Sequence, residues 1–260
     1  VVDVVLVETR DRVCTITLHR PEVRNALDTA LQRASADALA AADSDPGVDI
    51  VVLTGSDPAF CAGLDLRELG GTADNLNLRS DDPGRPSNPF TALWSMRKPV
   101  IGAINGPAVT GGFELALACD FLVASERATF GDTHARVGVT PGGGMSVFLP
   151  MAVGLRRAKQ ISLTGNFVSA REAERIGLVN VVVEHAGLLP AAHRIAIDIV
   201  GNDQRAVLNL KALYDRTAAV APADGLAIEQ EVFRSWRVEP AEIASRRESV
   251  LRRGREQQQP

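Results

Sequence analysis

Aromatic residues account for only 4% of this 260-residue chain, with a single tyrosine and two tryptophans. Any core must therefore be aliphatic and alanine-rich. The 45% hydrophobic content is enough for one large domain, or a domain with a helical appendix. Cysteine is scarce too. Cys14, Cys61 and Cys119 are odd in number, widely spaced and without a C-x-x-C pair, which argues against a disulfide framework or a thiolate metal site and fits a reducing, cytoplasmic setting. Positive charge is not in excess: 28 Lys+Arg against 32 Asp+Glu leave a net charge of −4, so there is no electrostatic footprint for nucleic acid. The opening Val1-Val2-Asp3-Val4-Val5-Leu6-Val7-Glu8 has no basic leader and reads as a strand rather than a signal peptide. The uncharged run from Pro99 to Phe113 is only fifteen residues and is broken by Gly, Pro and Asn. A membrane span needs about 20 apolar residues, so this run is expected to be a buried strand entering a glycine-rich loop, with no membrane partner.

What the sequence has in quantity is glycine, 22 residues, the residue of tight turns and close backbone approaches. Strands are predicted at Val4 to Thr9 and Val13 to Leu18, the second alternating with Cys14, Ile16 and Leu18 on one face, joined by a turn at Arg10-Asp11-Arg12. Asp28 is placed to cap a helix ending near Asp45-Pro46-Gly47. A strand from Asp49 to Thr54, a surface loop from Gly70 to Pro89, a helix near Phe90 to Arg97, and strands at Val100 to Ile104 and Phe121 to Ala124 follow. Beyond Pro141 helices dominate. Ser169-Ala170-Arg171-Glu172 has capping-box spacing, Leu178 to Val183 is one last strand, and helices are expected from Gly187 through Arg252. The expected fold class is α/β, layered, with a parallel component.

Two glycine-rich loops each follow a predicted strand. One is Cys61-Ala62-Gly63-Leu64-Asp65; the other runs from Gly106 to Glu114 through Gly111 and Gly112. Strand-to-helix turns of this kind can aim free backbone N–H groups at one ligand oxygen, the requirement of an oxyanion hole. By itself the pattern is an ordinary pair of tight turns, and neither loop has the G-x-G-x-x-G or P-loop pattern of a nucleotide site.

The residues around these loops resemble the crotonase (enoyl-CoA hydratase/isomerase) superfamily. Phe60 to Leu66, Lys98 to Ala108 and Gly111 to Asp120 carry the resemblance. His19-Arg20-Pro21 with Asn25-Ala26-Leu27, Ala128 to Gly131, Thr140 to Gly144, and Leu163-Thr164-Gly165 with Ala170 to Val179 extend it in the same order, from about residue 4 to residue 200. The resemblance implies a spiral of repeated ββα units over residues 1–200. It further implies a C-terminal helical region over 201–260 that completes the pocket and the oligomer contacts, and assembly as a homotrimer or dimer of trimers. It implies an acyl-CoA thioester substrate, with coenzyme A entering only as part of the substrate and no other cofactor or metal. By the same resemblance, N–H groups of Ala62 and Gly111 hold the thioester oxygen, Gly63, Leu64 and Asp65 line the pocket, and Arg24 and Ala26 lie near the coenzyme A moiety.

The hydratase branch of that family resembles a two-carboxylate machine. Its first carboxylate position is Glu114 here; its second, twenty residues on, holds His134. Glu114 is expected to activate water or shuttle a proton. His134 is expected either to donate a proton to the α-carbon in place of a carboxylic acid or to line the pocket; Asp132 is a nearby alternative carboxylate, read first as an exposed loop acid. Arg246 and Arg247 are candidates for meeting the coenzyme A phosphates. The leading expectation is an enoyl-CoA hydratase. The alternatives are an isomerase, another enolate reaction such as decarboxylation or C–C cleavage, and a non-catalytic acyl-CoA-binding protein.

Overall fold

The structure, a computed structural model, describes residues 3–69, 88–218 and 220–235. The expected surface loop over Gly70 to Pro89 lies outside the described residues except for its last two, and so do the arginines of the C-terminal tail. Among the described residues no helix is long and apolar enough to cross a membrane.

In chain order the elements are β1 (Val5–Arg10), β2 (Val13–Leu18), α1 (Thr29–Ser44), β3 (Ile50–Gly55), α2 (Leu66–Leu69), α3 (Pro89–Ser95), β4 (Val100–Ile104), β5 (Ala108–Val109), α4 (Gly111–Leu117) and β6 (Phe121–Ser125). They continue with β7 (Thr129–Gly131), α5 (His134–Val137), α6 (Met145–Val153), α7 (Leu155–Thr164), β8 (Val168–Ser169), α8 (Ala170–Arg175), β9 (Val181–Val183), α9 (Leu188–Val200), α10 (Gln204–Ala218) and α11 (Pro222–Ser235). The chain forms two compact units, Val1–Leu208 and Asn209–Pro260. Among the described residues, the first holds every strand and the second is helical.

The main sheet has the order β1-β2-β3-β4-β6-β9. Its first pair is antiparallel, closed by Asp11 and Arg12, both at positive φ as a two-residue hairpin turn demands. All other neighbours are parallel. The inner strands read as unbroken apolar runs because both faces are covered. Val13, Ile50, Val52, Ile101, Ala103 and Val123 pack under the alanine face of α9, formed by Ala191, Ala192 and Ala196. The opposite side chains, among them Ile16, Leu18, Val51, Leu53 and Ile104, enter the larger core with Leu31 and Leu39 of α1.

Local signals account for most boundaries. Asp28 caps α1 by accepting the N–H of Leu31 at 2.7 Å, and Lys98 closes its far end by donating to the carbonyls of Ala42 and Asp45. Asn88 caps α3, with Pro89 in its first turn. Ser169 caps α8 through the N–H of Glu172. The small second sheet, β5-β7-β8, is not announced by periodicity, since its strands are two or three residues long. Its importance is positional. Pairing of Ala108 with Phe130 and Val109 with Gly131 brings the chain after β7 beside the second glycine-rich loop.

Candidate active site

The first glycine-rich loop follows β3 and the second follows β4, both at the carboxyl ends of parallel strands, where open α/β sheets present their ligand crevice. The loops are clamped together. Cys61 and Ala108 form a parallel bridge, the N–H of Cys61 donates to Pro107 O at 3.2 Å, and that of Val109 donates to Cys61 O at 3.0 Å. A Cβ at position 112 would fall 2.1 Å from Cys61 O, so only glycine permits this approach. Asn25, fully buried, braces the first loop from below. Its amide donates to the carbonyls of Ser56, Ala59 and Phe60, and its Oδ1 accepts the N–H of Arg20.

One expected oxyanion donor requires correction. The N–H of Ala62 is already committed, donating to Arg24 O at 3.0 Å. Further along, Gly63 O accepts from the N–H of Leu27 and the N–H of Asp65 donates to Leu27 O, so both face the 24–27 segment. The N–H of Leu64 between them faces the other way, toward the second loop, and a Cβ on Gly111 would lie 3.6 Å from it. Gly111 opens α4, and among the described residues neither its N–H nor that of Leu64 has a backbone or side-chain acceptor. The convergent pair is therefore Leu64 and Gly111. Thr110, ahead of Gly111, adopts φ 52° and ψ −110°, a strained conformation for a β-branched residue. It is held there by its N–H to Gly131 O at 2.8 Å and by a 2.5 Å hydroxyl contact with Thr133.

Of the other expected pocket residues, Asp65 turns its carboxylate to Arg20, which also pairs with Asp28 and donates to Ala26 O. It thus serves to fix the loop rather than face a ligand. Arg24, at φ 55°, is exposed beside the clasped loops, and Ala26 is half-buried. Cys61 is fully buried, which pushes its thiol up to about 12, so it is no nucleophile.

Glu114 is 3% exposed. Burial raises its carboxyl above the ordinary glutamate range, against the opposing pull of hydrogen bonds and of His134. Oε1 accepts the N–H of Gly143 at 2.8 Å and of Met145 at 3.2 Å, while Oε2 lies 3.7 Å from Nε2 of His134. Gly143 thus gains a reason: a Cβ there would sit 2.9 Å from the Glu114 carboxyl carbon. His134 is buried, and its Nδ1 is 2.6 Å from Oδ1 of Asp132. Asp132, expected to be an exposed loop acid, is 2% exposed. Burial alone would raise its carboxyl, but hydrogen bonds from His134 and Ser162 outweigh that and hold it below the ordinary range. The sequence offered only the Asp-x-His spacing as a sign of this contact. Phe113 and Phe130, with ring centroids 5.4 Å apart, tie α4 to β7 beneath the group.

Two free N–H donors beside a buried carboxylate and a histidine can stabilise an oxyanion and move a proton within a few ångströms of it. Known proteins agree with that chemistry. The enoyl-CoA hydratase/isomerase family model matches residues 8–252. A probable enoyl-CoA hydratase of Rhizobium meliloti is 41% identical over 233 residues, 90% of this chain and 89% of its own. A probable peroxisomal enoyl-CoA hydratase 1 of Arabidopsis thaliana is 40% identical over 84% of this chain and 81% of its own. The crystal structure of an enoyl-CoA hydratase from Mycobacterium tuberculosis H37Rv superposes with a TM-score of 0.74 at 50% identity, covering 90% of this chain and all of that one. The α/β fold expected from the resemblance is the one observed, and the chain belongs to the enoyl-CoA hydratase/isomerase family.

Proposed function

We propose that the chain is an enoyl-CoA hydratase, a lyase adding water across the C2=C3 bond of a 2-enoyl-CoA thioester. The observation that carries this reading is the pair of uncommitted N–H groups, Leu64 and Gly111, set against the buried Glu114. The thioester oxygen sits between the two donors. As water attacks C3, electron density flows to that oxygen, and the donors act on charge that is greatest at the transition state. Glu114 orients the water through Oε2, because Oε1 is occupied by two backbone N–H groups, and takes its proton. His134 supplies the proton to C2. The reading needs no cofactor beyond the coenzyme A of the substrate, which Arg24 and Ala26 are proposed to meet.

A homotrimer or dimer of trimers is part of the proposal. Val147, Met151, Leu155 and Leu163 leave an apolar surface on α6 and α7, of the kind that marks an interface. A cytoplasmic location is also part of it, and the three free, buried cysteines suit a reducing compartment.

The test is incubation of purified protein with crotonyl-CoA and longer 2-enoyl-CoAs. Hydration removes the absorbance of the conjugated thioester and adds the mass of water. Binding without turnover at every chain length overturns the reading. Conversion of a 3-enoyl-CoA at unchanged mass, with no hydration, transfers it to isomerisation.

A further inference from the structure

His134 is held from behind as well as facing the reaction. Its Nδ1 lies 2.6 Å from Oδ1 of Asp132, and its own backbone N–H reaches the same oxygen at 3.2 Å. Asp132 also takes a hydrogen bond from Ser162 on α7, so its carboxylate is anchored on two sides. A carboxylate only accepts hydrogen bonds. The nitrogen beside it must then carry a proton, leaving Nε2 as the atom that gains or loses one. That atom faces Glu114 Oε2 at 3.7 Å, too far for a direct hydrogen bond and near enough to share a substrate. Behind the dyad lies a cavity of about 310 Å³ whose walls include Met145, Pro150 and Ala158. The charged groups around the ring are Glu114 from α4, Asp132 from the β7–α5 link, Lys159 of α7 at the exposed edge of the cavity, and Arg136 on its own helix, which is engaged with Thr164 and Asn166.

We propose that Asp132 is the positioning residue of the proton-transfer step: it accepts Nδ1–H of His134, points Nε2 at the substrate, and balances the charge of the ring when Nε2 is protonated. This rests on the hydration reading, and the proton accounting follows from it. In this step Glu114 acts as the proton acceptor and Nε2 of His134 as the proton donor. Glu114 removes one proton from water as the C3–O bond forms, and Nε2 gives its proton to C2. The pair is left as carboxylic acid and neutral imidazole, and relay of the proton from Glu114 Oε2 to Nε2 through a water entering after product leaves restores it, because the 3.7 Å gap is too long for direct transfer.

The test combines a spectrum with a pH profile, both on the full chain. In ¹⁵N-histidine-labelled protein, the ring signals lost in His134→Gln identify His134, and Nδ1 is expected to be protonated throughout. An Nδ1 without a proton overturns the proposal, and the kinetics of Asp132→Asn test it separately. In Asp132→Asn, kcat for the enoyl-CoA is expected to fall about 10²-fold or more, with KM within about twofold, and the alkaline limb of the kcat profile is expected to move to lower pH. Ser162→Ala, which keeps the charge, leaves that limb in place. An Asp132→Asn enzyme that is less thermostable but has an unmoved limb shows a merely structural role and overturns the proposal. If no enoyl-CoA is hydrated while Nδ1 proves protonated, the hydration reading falls and the Asp132–His134 arrangement stands.

Discussion

Burial of Glu114 lifts its carboxyl above the ordinary value of 4.5, so the folded protein holds the charged form at a cost. The sign of the stability effect follows by linkage. As pH rises from the ordinary value to the raised one, the unfolded chain releases this proton before the native chain does, and the native state loses stability over that window. Glu114→Gln keeps an oxygen for the N–H groups of Gly143 and Met145 and removes the charge. Its melting temperature is expected to match the wild type below pH 4.5, to exceed it increasingly as pH rises to the raised value, and to stay above it by a constant margin beyond, while hydration falls about 10²–10⁴-fold with the loss of the base. A melting temperature below the wild type at pH 8 would contradict this account of the carboxylate. Gly143 is constrained by the same contact. A methyl there would meet the Phe90 ring at 2.8 Å and the Glu114 carboxyl carbon at 2.9 Å. Gly143→Ala should lower stability by about 1–3 kcal/mol and lower kcat as well, because the displaced group is the base itself. Thermal melts beside steady-state kinetics separate the two effects.

At the scale of elements, the two loops act as one device because their backbones interlock through Cys61, Pro107 and Val109. Leu64→Pro removes one N–H while Gly63, at φ +93°, tolerates the turn ahead of it. Single-turnover hydration by this variant should slow by about 10²–10³-fold, the cost of one oxyanion donor. A rate within a few-fold of wild type, in protein with an unchanged melting temperature, would remove Leu64 from the site. This element also shows where sequence reading stops. Both loops, Gly111, Glu114 and the odd His134 were legible because a motif fixes residue types at fixed spacing. Which N–H of the first loop is free was not, because it depends on the hydrogen bond from Ala62 to Arg24, a partner distant in sequence. Asp132 was misread for a related reason. Its burial is set by Ser162 on α7 and by the ring of His134, and nothing in the local sequence reports a helix arriving thirty residues later.

For the first compact unit as a whole, the strands that were easiest to read are the ones that hold the site. β4 is apolar throughout, and β3 and β6 are so except for Thr54 and Ser125, because α9 covers one face and the α1 side of the core covers the other. The short strands β5, β7 and β8 escape periodicity, which needs a longer run to register, and they owe their pairing to the approach of loops that the long strands deliver. The catalytic groups thus ride on the first loop and on the short helices α4 and α5, which follow loops that leave a rigid platform at the carboxyl ends of its parallel strands. That arrangement makes a gradient of local stability. β1 is an edge strand, exposed from Leu6 to Arg10, whereas β3 and β4 are buried along their whole lengths. Amides of Val51 to Leu53 and Ile101 to Ala103 should open only with the entire unit, while those of β1 that face solvent should open locally and exchange faster by at least about two orders of magnitude. Hydrogen exchange followed by mass spectrometry measures this directly. Protection in β1 equal to that in β4 would mean that the exposed edge is covered in solution, and would shift the search for an assembly interface from α6 and α7 to the hairpin.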